Sequence, residues 1–170
     1  TANYFFATGD VTGYLRFGGG TGGEAAGDSY RDIENLAGSN TGNDWLEGDS
    51  AANTIWGNGG NDVLHGWNGG DLLIGGDGDD HLYGGADADV LDGGAGIDTA
   101  NYFFATGDVV ADLSGNIGSG GDAAGDTYWG IENVAGSDAG NDTLEGNSGA
   151  NTIGEMAATT FCGAGRVTIF

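Results

Sequence analysis

The chain of 170 residues has the length of one domain, but 39 glycines and the absence of proline set it apart from an ordinary globular protein. Twenty-six acidic residues against three arginines give a net charge of -23. This charge excludes nucleic acid as a partner, because phosphate binding needs clustered Lys and Arg, and it predicts a chain that stays expanded until cations bind.

The sequence contains a long tandem repeat. The motif TANYFFATGDV at Thr1 returns at Thr99, and the similarity continues at the same offset of 98 residues through Ile55. No apolar run reaches the roughly 20 residues of a membrane span, and the first residues do not form a signal peptide. Because the chain starts at Thr1, without Met and within a motif that recurs after Asp98, we expect it to be a fragment of a longer protein.

The first segment, residues 1–38, has strand signals at 3–6, 11–17 and 33–36, with a glycine-rich turn at 18–23. Apolar and β-branched residues between Gly, Asp and Ser clusters favour short strands. We interpret the segment as an irregular β segment that continues the repeat architecture with longer loops. An independent small domain is the alternative, but so few apolar residues would make a poor core.

The second segment, residues 39–101, divides into seven nine-residue units without an insertion or deletion. The sixth places hold Asp44, Asn53, Asp62, Asp71, Asp80, Asp89 and Asp98. The eighth places hold Leu46, Ile55, Leu64, Leu73, Leu82, Leu91 and Ala100. A period this strict indicates a repeat architecture rather than a solvated linker, which needs no phase.

The chemistry of one unit explains its spacing. Glycines at the first, second and fourth places permit positive φ and leave carbonyl oxygens uncovered, so that a six-residue turn can bend around a small cation. Calcium prefers about six to eight oxygen ligands, and the Asp supplies the charge. The other three residues form a short strand whose middle side chain points inward. Units two apart then stack as parallel neighbours, with alternate Asp residues along two opposite edges.

The last four units, GWNGGDLLI, GGDGDDHLY, GGADADVLD and GGAGIDTAN, resemble the hemolysin-type (RTX) calcium-binding repeat, GGxGxDxUx. The resemblance implies an all-β fold, a parallel β-roll (right-handed β-solenoid), with several Ca²⁺ ions bound in glycine-rich turns. It also implies that carbonyls of one turn and Asp carboxylates of the neighbouring turn share each ion. Export of the unfolded chain by type I secretion is a further implication.

The candidate calcium ligands follow from this pattern. The carboxylates are Asp44, Asp62, Asp71, Asp80, Asp89, Asp98 and Asp142. The turn glycines are Gly57, Gly59, Gly60, Gly66, Gly69, Gly75, Gly76, Gly78, Gly84, Gly85, Gly93, Gly94 and Gly96. Asn53 and Asn151 offer an oxygen without charge, so we expect weak binding or none in their turns.

The second copy consists of an irregular segment at 102–136 and the start of a second β-roll at 137–153. Beyond Ile153 the pattern breaks. Assumed codons for the first copy, read one base out of frame, reproduce the residues from Gly154 to Cys162. We therefore predict that 154–170 is an aberrant, frameshifted tail, which holds the only Met and Cys residues, Met156 and Cys162.

No HExxH, GxSxG or phosphate-loop motif occurs, and we predict that this chain is not an enzyme. His65 and His81 lie at outward places without a third His or Cys nearby, so surface positions are favoured over a zinc site. Another outward face is rich in apolar residues: Thr54, Trp56, Leu72, Ile74, Val90 and Asp92. We expect residues 4–6 or 102–104 to cover it; a patch for a partner is the alternative.

These features favour a calcium-dependent structural module of a secreted bacterial exoprotein, with calcium ions as its partners and no membrane span. Two other functions fit the pattern. The chain could be the accessory repeat region of a protease, lipase or epimerase whose catalytic domain lies elsewhere. It could also be a binding module of a large adhesin, with an extracellular protein or polysaccharide as its partner.

Overall fold

The computed structural model describes residues 1–155, 158–163 and 166–168, with side chains described as far as Gly154. Met156 and the side chain of Cys162, which belong to the predicted aberrant tail, lie outside the described residues. The frameshift therefore stays a prediction.

Two long sheets make up the described part of the chain. The first has the spatial order β1 (Ala2–Asn3), β4 (Asn35–Ala37), β6 (Thr54–Gly59), β8 (Leu72–Asp77), β10 (Val90–Ala95), β14 (Thr127–Trp129), β13 (Ile117–Gly120), β12 (Val110–Asp112), β16 (Thr143–Glu145) and β19 (Arg166–Thr168). The second has the order β18 (Ala158–Gly163), β17 (Ala150–Glu155), β15 (Asn133–Ala135), β11 (Thr99–Asn101), β9 (His81–Ala86), β7 (Val63–Asn68), β5 (Trp45–Glu47), β2 (Thr12–Tyr14) and β3 (Gly19–Gly22). Two short 3₁₀ turns, Gly23–Ala25 and Gly121–Ala123, are the helical elements among them.

The nine-residue period sets the register of both sheets. Successive units alternate between the sheets, so that each strand of 45–101 pairs in parallel with the strand two units away. In the second sheet Leu46 pairs with Leu64 and Leu64 with Leu82. In the first sheet Ile55 pairs with Leu73. The predicted all-β, parallel β-roll is therefore confirmed.

The core is a thin interior between the two sheets. All seven eighth-place side chains are fully buried there: Leu46, Ile55, Leu64, Leu73, Leu82, Leu91 and Ala100. Because side chains alternate along a strand, the seventh and ninth places of each unit point away from this interior. Burial of one apolar side chain per unit leaves little hydrophobic stabilisation for each coil.

The strands in the middle of the roll are longer than predicted. β6 to β10 each span six residues and continue from places seven to nine into the first three places of the next unit. Gly59 pairs with Asp77 in this extension. Glycine makes the extension possible, because a Cβ at Gly59 would lie only 2.6 Å from the carbonyl oxygen of Asn40. The prediction of three-residue strands is therefore wrong for these units.

The irregular segments contribute strands to the same two sheets. β1 and β4 join the first sheet, whereas β2 and β3 form an antiparallel hairpin at the edge of the second. The predicted turn at 18–23 thus contains a strand, and the predicted strand at 3–6 ends at Asn3. In the second copy β12, β13 and β14 continue the first sheet, and β15 continues the second.

Equivalent strands of the two long repeats lie in opposite sheets. The β2–β3 hairpin belongs to the second sheet, whereas its equivalent β12–β13, 98 residues later, belongs to the first. The same exchange relates β4 to β15 and β5 to β16. It follows that the chain crosses between the sheets an odd number of times per long repeat, so a surface feature of one copy returns on the other face.

The apolar face on the first sheet is not covered as expected. Phe6 is 89% exposed, and Phe5 is 40% exposed and packs edge-on against Phe6. Phe104 packs against His65 and Tyr83, which belong to the second sheet. The prediction that these aromatic segments cover Trp56 and its neighbours is wrong. The face itself is half-buried, and its role as a partner patch stays a prediction.

Candidate metal centre

The sixth-place carboxylates form two rows along opposite edges of the roll. In each row, the backbone N–H of one residue donates a hydrogen bond to the Oδ1 atom of the Asp one coil further along. The donor and acceptor pairs are Asp44 to Asp62, Asp62 to Asp80, Asn53 to Asp71 and Asp71 to Asp89, at 2.7–2.8 Å, and Asp80 to Asp98 at 2.8 Å. This ladder holds every carboxylate in one orientation.

The second oxygen of these carboxylates has no partner among the described residues. The Oδ2 atoms of Asp62, Asp71, Asp80, Asp89 and Asp98 are buried and accept no hydrogen bond. Each of the five residues is at most 2% exposed. A buried carboxylate oxygen without a donor is destabilising, and a cation is the ordinary way to compensate for it.

A glycine faces each unpartnered oxygen. A Cβ at Gly57 would collide with Asp62 Oδ2 and lie 2.6 Å from the carbonyl oxygen of Gly75, one coil further along. Equivalent approaches occur at Gly66 to Asp71, Gly75 to Asp80, Gly84 to Asp89 and Gly93 to Asp98. The first-place glycine therefore lets a carboxylate oxygen and, in most units, a carbonyl oxygen approach the backbone more closely than a Cβ would permit.

The remaining candidate glycines shape the turns. Positive φ angles occur at Gly60, Gly69, Gly76, Gly78, Gly85, Gly94 and Gly96. Gly59, in β6, passes close to the carbonyl oxygen of Asn40. Glycine adopts positive φ without the steric penalty of a Cβ, so these residues let the chain reverse in a very short turn.

Burial raises the pKa values of the unpartnered carboxylates. It raises the pKa of Asp62 and of Asp89 to about 8, and that of Asp71 to about 7. The pKa values of Asp80 and Asp98 rise to about 6 for the same reason. Loss of water around the charged form outweighs the hydrogen bonds from the backbone. A bound cation is therefore needed to stabilise the ionised form of these carboxylates.

Asp44 and Asp142 differ from the other candidates. Asp44 Oδ1 accepts a hydrogen bond from the Val11 N–H, and its Oδ2 accepts one from the Ser39 N–H at 2.6 Å. Asp142 has the same contacts with Val109 and Ser137. Both oxygens of these two residues are therefore satisfied by the chain itself.

The turn that precedes Asp44 is also one residue longer than the turn that precedes Asp62. Ala37 pairs with Trp56, so Gly38 and not Ser39 corresponds to the first-place Gly57. Gly38 faces Asp44 Oδ2 as Gly57 faces Asp62 Oδ2. Ser39, which follows Gly38, donates its N–H to Asp44 Oδ2, as Asp49 donates to Asn53 in a turn of ordinary length. A count of nine residues without the strand register cannot reveal this shift.

The side-chain amides at two sixth places, Asn53 and Asn151, form hydrogen bonds with other parts of the chain. Asn53 Oδ1 accepts a hydrogen bond from the Asp49 N–H, and its Nδ2 donates to the Glu34 carbonyl. Asn151 Nδ2 donates to the Glu132 carbonyl, while its Oδ1 is buried without a partner. Weak calcium binding at these two turns stays a prediction.

Two acidic residues of the irregular segment extend the rows and were missed from the sequence. The Asp89 N–H donates to Asp126 Oδ1 at 2.8 Å, and the Asp98 N–H donates to Glu132 Oε2 at 3.0 Å. Asp126 is fully buried, which raises its pKa to about 6. The sequence does contain a signal for Asp126. In the stretch GDAAGDTYW, from Gly121 to Trp129, the sixth residue is Asp126 and the eighth is the buried Tyr128, as in a nine-residue unit.

His65 is not a surface residue, contrary to prediction. It is 6% exposed and stacks on Tyr83 with a centroid distance of 4.1 Å, between Trp45 and Trp67. Burial lowers its pKa to about 4, so the imidazole is neutral at neutral pH. His81 is exposed, as predicted.

The donor set fits calcium. Within the described residues, no three His, Cys, Asp or Glu side chains converge as they do in a zinc site. The atoms beside the first-place glycines are oxygen atoms of Asp side chains and, in most units, of backbone carbonyls. Such hard donors favour calcium over softer transition metals. One carboxylate for each calcium ion is sufficient here, because backbone carbonyl oxygens supply further ligands.

The comparisons with known proteins agree with this geometry. A family model described as the RTX calcium-binding nonapeptide repeat (4 copies) matches residues 39–73, 68–100 and 137–153. A search of curated proteins finds no match. No helix in the described ranges is both long and apolar enough to span a membrane.

Proposed function

Because this chain carries RTX calcium-binding nonapeptide repeats, which bind several Ca²⁺ ions and act as structural modules, we propose that calcium binding drives its folding outside the cell. The supporting observation is the unpartnered Oδ2 atom of Asp62, Asp71, Asp80, Asp89 and Asp98. Each of these oxygens faces a first-place glycine. We propose these five carboxylates, with the adjoining glycine carbonyls, as the calcium ligands.

The energetics support coupling between ion binding and folding. The roll buries one apolar side chain per unit and brings like charges together along two edges. Without cations, the charge of -23 opposes compaction. A ligand that binds the folded state alone stabilises it by mass action. Extracellular calcium modules bind at roughly 10⁻⁴ to 10⁻³ M, so cytosolic calcium would leave the chain unfolded.

We propose further that this chain has no catalytic activity and belongs to a secreted protein. The raised pKa values of the buried carboxylates are explained by burial at a cation site and need no catalytic role. A catalytic domain elsewhere in the parent protein is compatible with this role.

Far-UV circular dichroism of the 170-residue chain during calcium titration tests the proposal. We expect β-strand signal to appear with calcium, to be lost with a chelator, and to stay absent with magnesium at the same concentration, because magnesium requires a stricter octahedral site. A strand signal of equal size in the presence of chelator would overturn calcium-driven folding.

A further inference from the structure

A continuous aromatic belt crosses the outer face of the second sheet. It consists of Tyr14, Phe17, Trp45, His65, Trp67, Tyr83, Phe103 and Phe104, with Arg16 between Phe17 and Trp67. Successive members have centroid distances of 4.1–5.9 Å. The belt spans β2, β5, β7 and β9, about 14 Å at a strand spacing of ~4.8 Å. Phe17, Trp45 and Phe104 are 73%, 42% and 61% exposed.

The residues at the β2 end of this belt are not needed for the strands to pair. The second copy has the same hairpin and the same parallel pairing, β12 with β13 and β12 with β16, as β2 with β3 and β2 with β5. Yet it replaces Tyr14, Arg16, Phe17 and Trp45 by Asp112, Ser114, Gly115 and Thr143. The aromatic and basic residues of the first copy therefore serve a purpose other than strand pairing.

Trp67 is held in a strained position at the centre of the belt. Its φ of 80° lies in the left-handed region, where the equivalent places of the next two units have Gly76 and Gly85. Asn58, at the same place of the preceding unit, has a φ of 78°, so the turn imposes this conformation, and Trp67 is the bulkiest residue that adopts it. The indole Nε1 of Trp67 donates to Glu47 Oε2 at 3.2 Å, and that of Trp45 donates to Glu47 Oε1 at 2.7 Å.

Arg16 is positioned by rings rather than by a carboxylate. Its guanidinium lies 4.1 Å from the Trp67 ring centroid and 4.9 Å from that of Phe17. Although the chain has 26 acidic residues, Arg16 forms no ion pair with any residue that the structure describes. Arg16 lines a groove of about 550 Å³ whose other polar lining residues are Asp49, Ser50 and Asn68.

We propose that the aromatic belt and this groove bind an extended, neutral polysaccharide. A pyranose ring has apolar C–H faces that pack on aromatic rings, and hydroxyl groups that bond to planar polar groups such as guanidinium, carboxylate and amide. The exposed rings of Phe17, Trp45 and Phe104 supply the first. The groove supplies Arg16, Asp49 and Asn68 for the second. A charge of -23 repels nucleic acids and acidic polymers, so the repeating ligand that fits best is uncharged.

This inference goes beyond calcium-dependent folding, and the test separates the two. The 170-residue chain, saturated with calcium, is run by affinity electrophoresis through gels that contain a soluble β-glucan, dextran or galactomannan, with alginate as the acidic comparison. The variants Arg16→Ser and Trp45→Thr carry the residues of the second copy. Trp129→Arg, on the first sheet, carries the first-copy residue Arg31 and is the matched control.

We expect at least one neutral polysaccharide to retard the chain and to shift its tryptophan fluorescence. Arg16→Ser and Trp45→Thr should each weaken the binding at least tenfold, while Trp129→Arg leaves it unchanged. Circular dichroism on the same samples verifies that every variant folds with calcium. The inference is overturned if no neutral polysaccharide binds, if alginate alone binds, or if folded Arg16→Ser and Trp45→Thr bind as tightly as the parent chain.

Discussion

The backbone N–H of Asp44 donates to the Oδ1 atom of Asp62, 18 residues later in the sequence and one coil away in space, at 2.8 Å. The same bond recurs from Asp62 to Asp80 and from Asp80 to Asp98. Because one oxygen of each carboxylate is fixed in this way, the other is turned toward the glycine of its own turn. The strand register thus repeats the same pairing of carboxylate oxygen and glycine along each edge.

Asp80→Asn should remove calcium binding from its turn, because an amide supplies no charge and Asp80 Oδ2 has no other partner. Asp44→Asn is the matched control, since both oxygens of Asp44 are occupied by donors of the chain. Isothermal titration calorimetry should show a lower stoichiometry for Asp80→Asn and an unchanged stoichiometry for Asp44→Asn. An equal loss in both variants would contradict the distinction between the two carboxylates.

Calcium affinity should rise with pH between about 5 and 8. Burial raises the pKa values of Asp62 and Asp89 to about 8 and that of Asp71 to about 7, so protons compete with calcium for these oxygens at neutral pH. Titrations in buffers of different ionisation enthalpy should reveal proton release on binding. Absence of proton release at pH 7 would argue against these pKa values.

The stability of the calcium-free fold should fall as the pH rises. A carboxylate with a folded-state pKa above its unfolded value near 4 binds more protons when folded, so its contribution to stability is largest below pH 4. The contribution is lost as the pH rises through 6 to 8. Circular dichroism in chelator should therefore show more strand at pH 4 than at pH 8. More strand at pH 8 would refute this sign.

Gly75→Ala should destabilise the calcium-loaded fold by about 1–3 kcal/mol, the usual penalty for overpacking. The added Cβ would lie 2.5 Å from the Gly93 carbonyl oxygen and even closer to Asp80 Oδ2. Gly9→Ala is the control, because a Cβ at Gly9 meets no atom within 4 Å. Urea unfolding at saturating calcium measures both variants. Equal midpoints would show that the space beside Gly75 is not needed.

Leu73→Ala should cost about 2–5 kcal/mol, the range for a large-to-small substitution in a core. Leu73 is fully buried and pairs with Ile55 and Leu91 on the neighbouring strands of the first sheet. Leu72→Ala, at the adjacent half-buried outward place, should cost much less. Urea unfolding with calcium present compares the two, and an equal loss would contradict the inward direction of the eighth place.

Tyr102→Phe should destabilise the junction between the repeats by about 1–3 kcal/mol, because it leaves a buried carboxylate short of a donor. The Tyr102 hydroxyl donates to Asp126 Oδ2 at 2.6 Å and bonds to the Tyr128 hydroxyl at 2.7 Å. Tyr4→Phe removes the equivalent bond to Asp28, which is exposed, and should have a smaller effect. Thermal unfolding with calcium present measures both, and equal losses would contradict the argument from burial.

The recurrence of Asp and Leu every nine residues, as at Asp62 and Leu64, was enough to predict the parallel roll and its two rows of carboxylates. A nine-residue period with one inward side chain per unit permits few other arrangements, because a shift of one residue would expose every leucine. The sequence of each turn likewise predicts where glycine is needed for positive φ, as at Gly78 and Gly96.

Other features depend on contacts between distant segments, which a periodic pattern does not contain. Ser39 adds one residue to a turn, and this becomes visible only from the pairing of Ala37 with Trp56. His65 is buried because Trp45, Tyr83 and Phe104 converge on it from three other parts of the chain. Asp126 joins a row of carboxylates because the irregular segment returns to the first sheet at β14.

A crystal structure of the chain grown with calcium tests the ligand assignment most directly. The account predicts an ion beside Gly57, Gly66, Gly75, Gly84 and Gly93, at 2.3–2.6 Å from the Oδ2 atom of the facing Asp. Anomalous scattering would distinguish calcium from water at these positions. If Asp62, Asp71, Asp80, Asp89 and Asp98 keep Oδ2 atoms without a metal while calcium binds elsewhere, the account is contradicted.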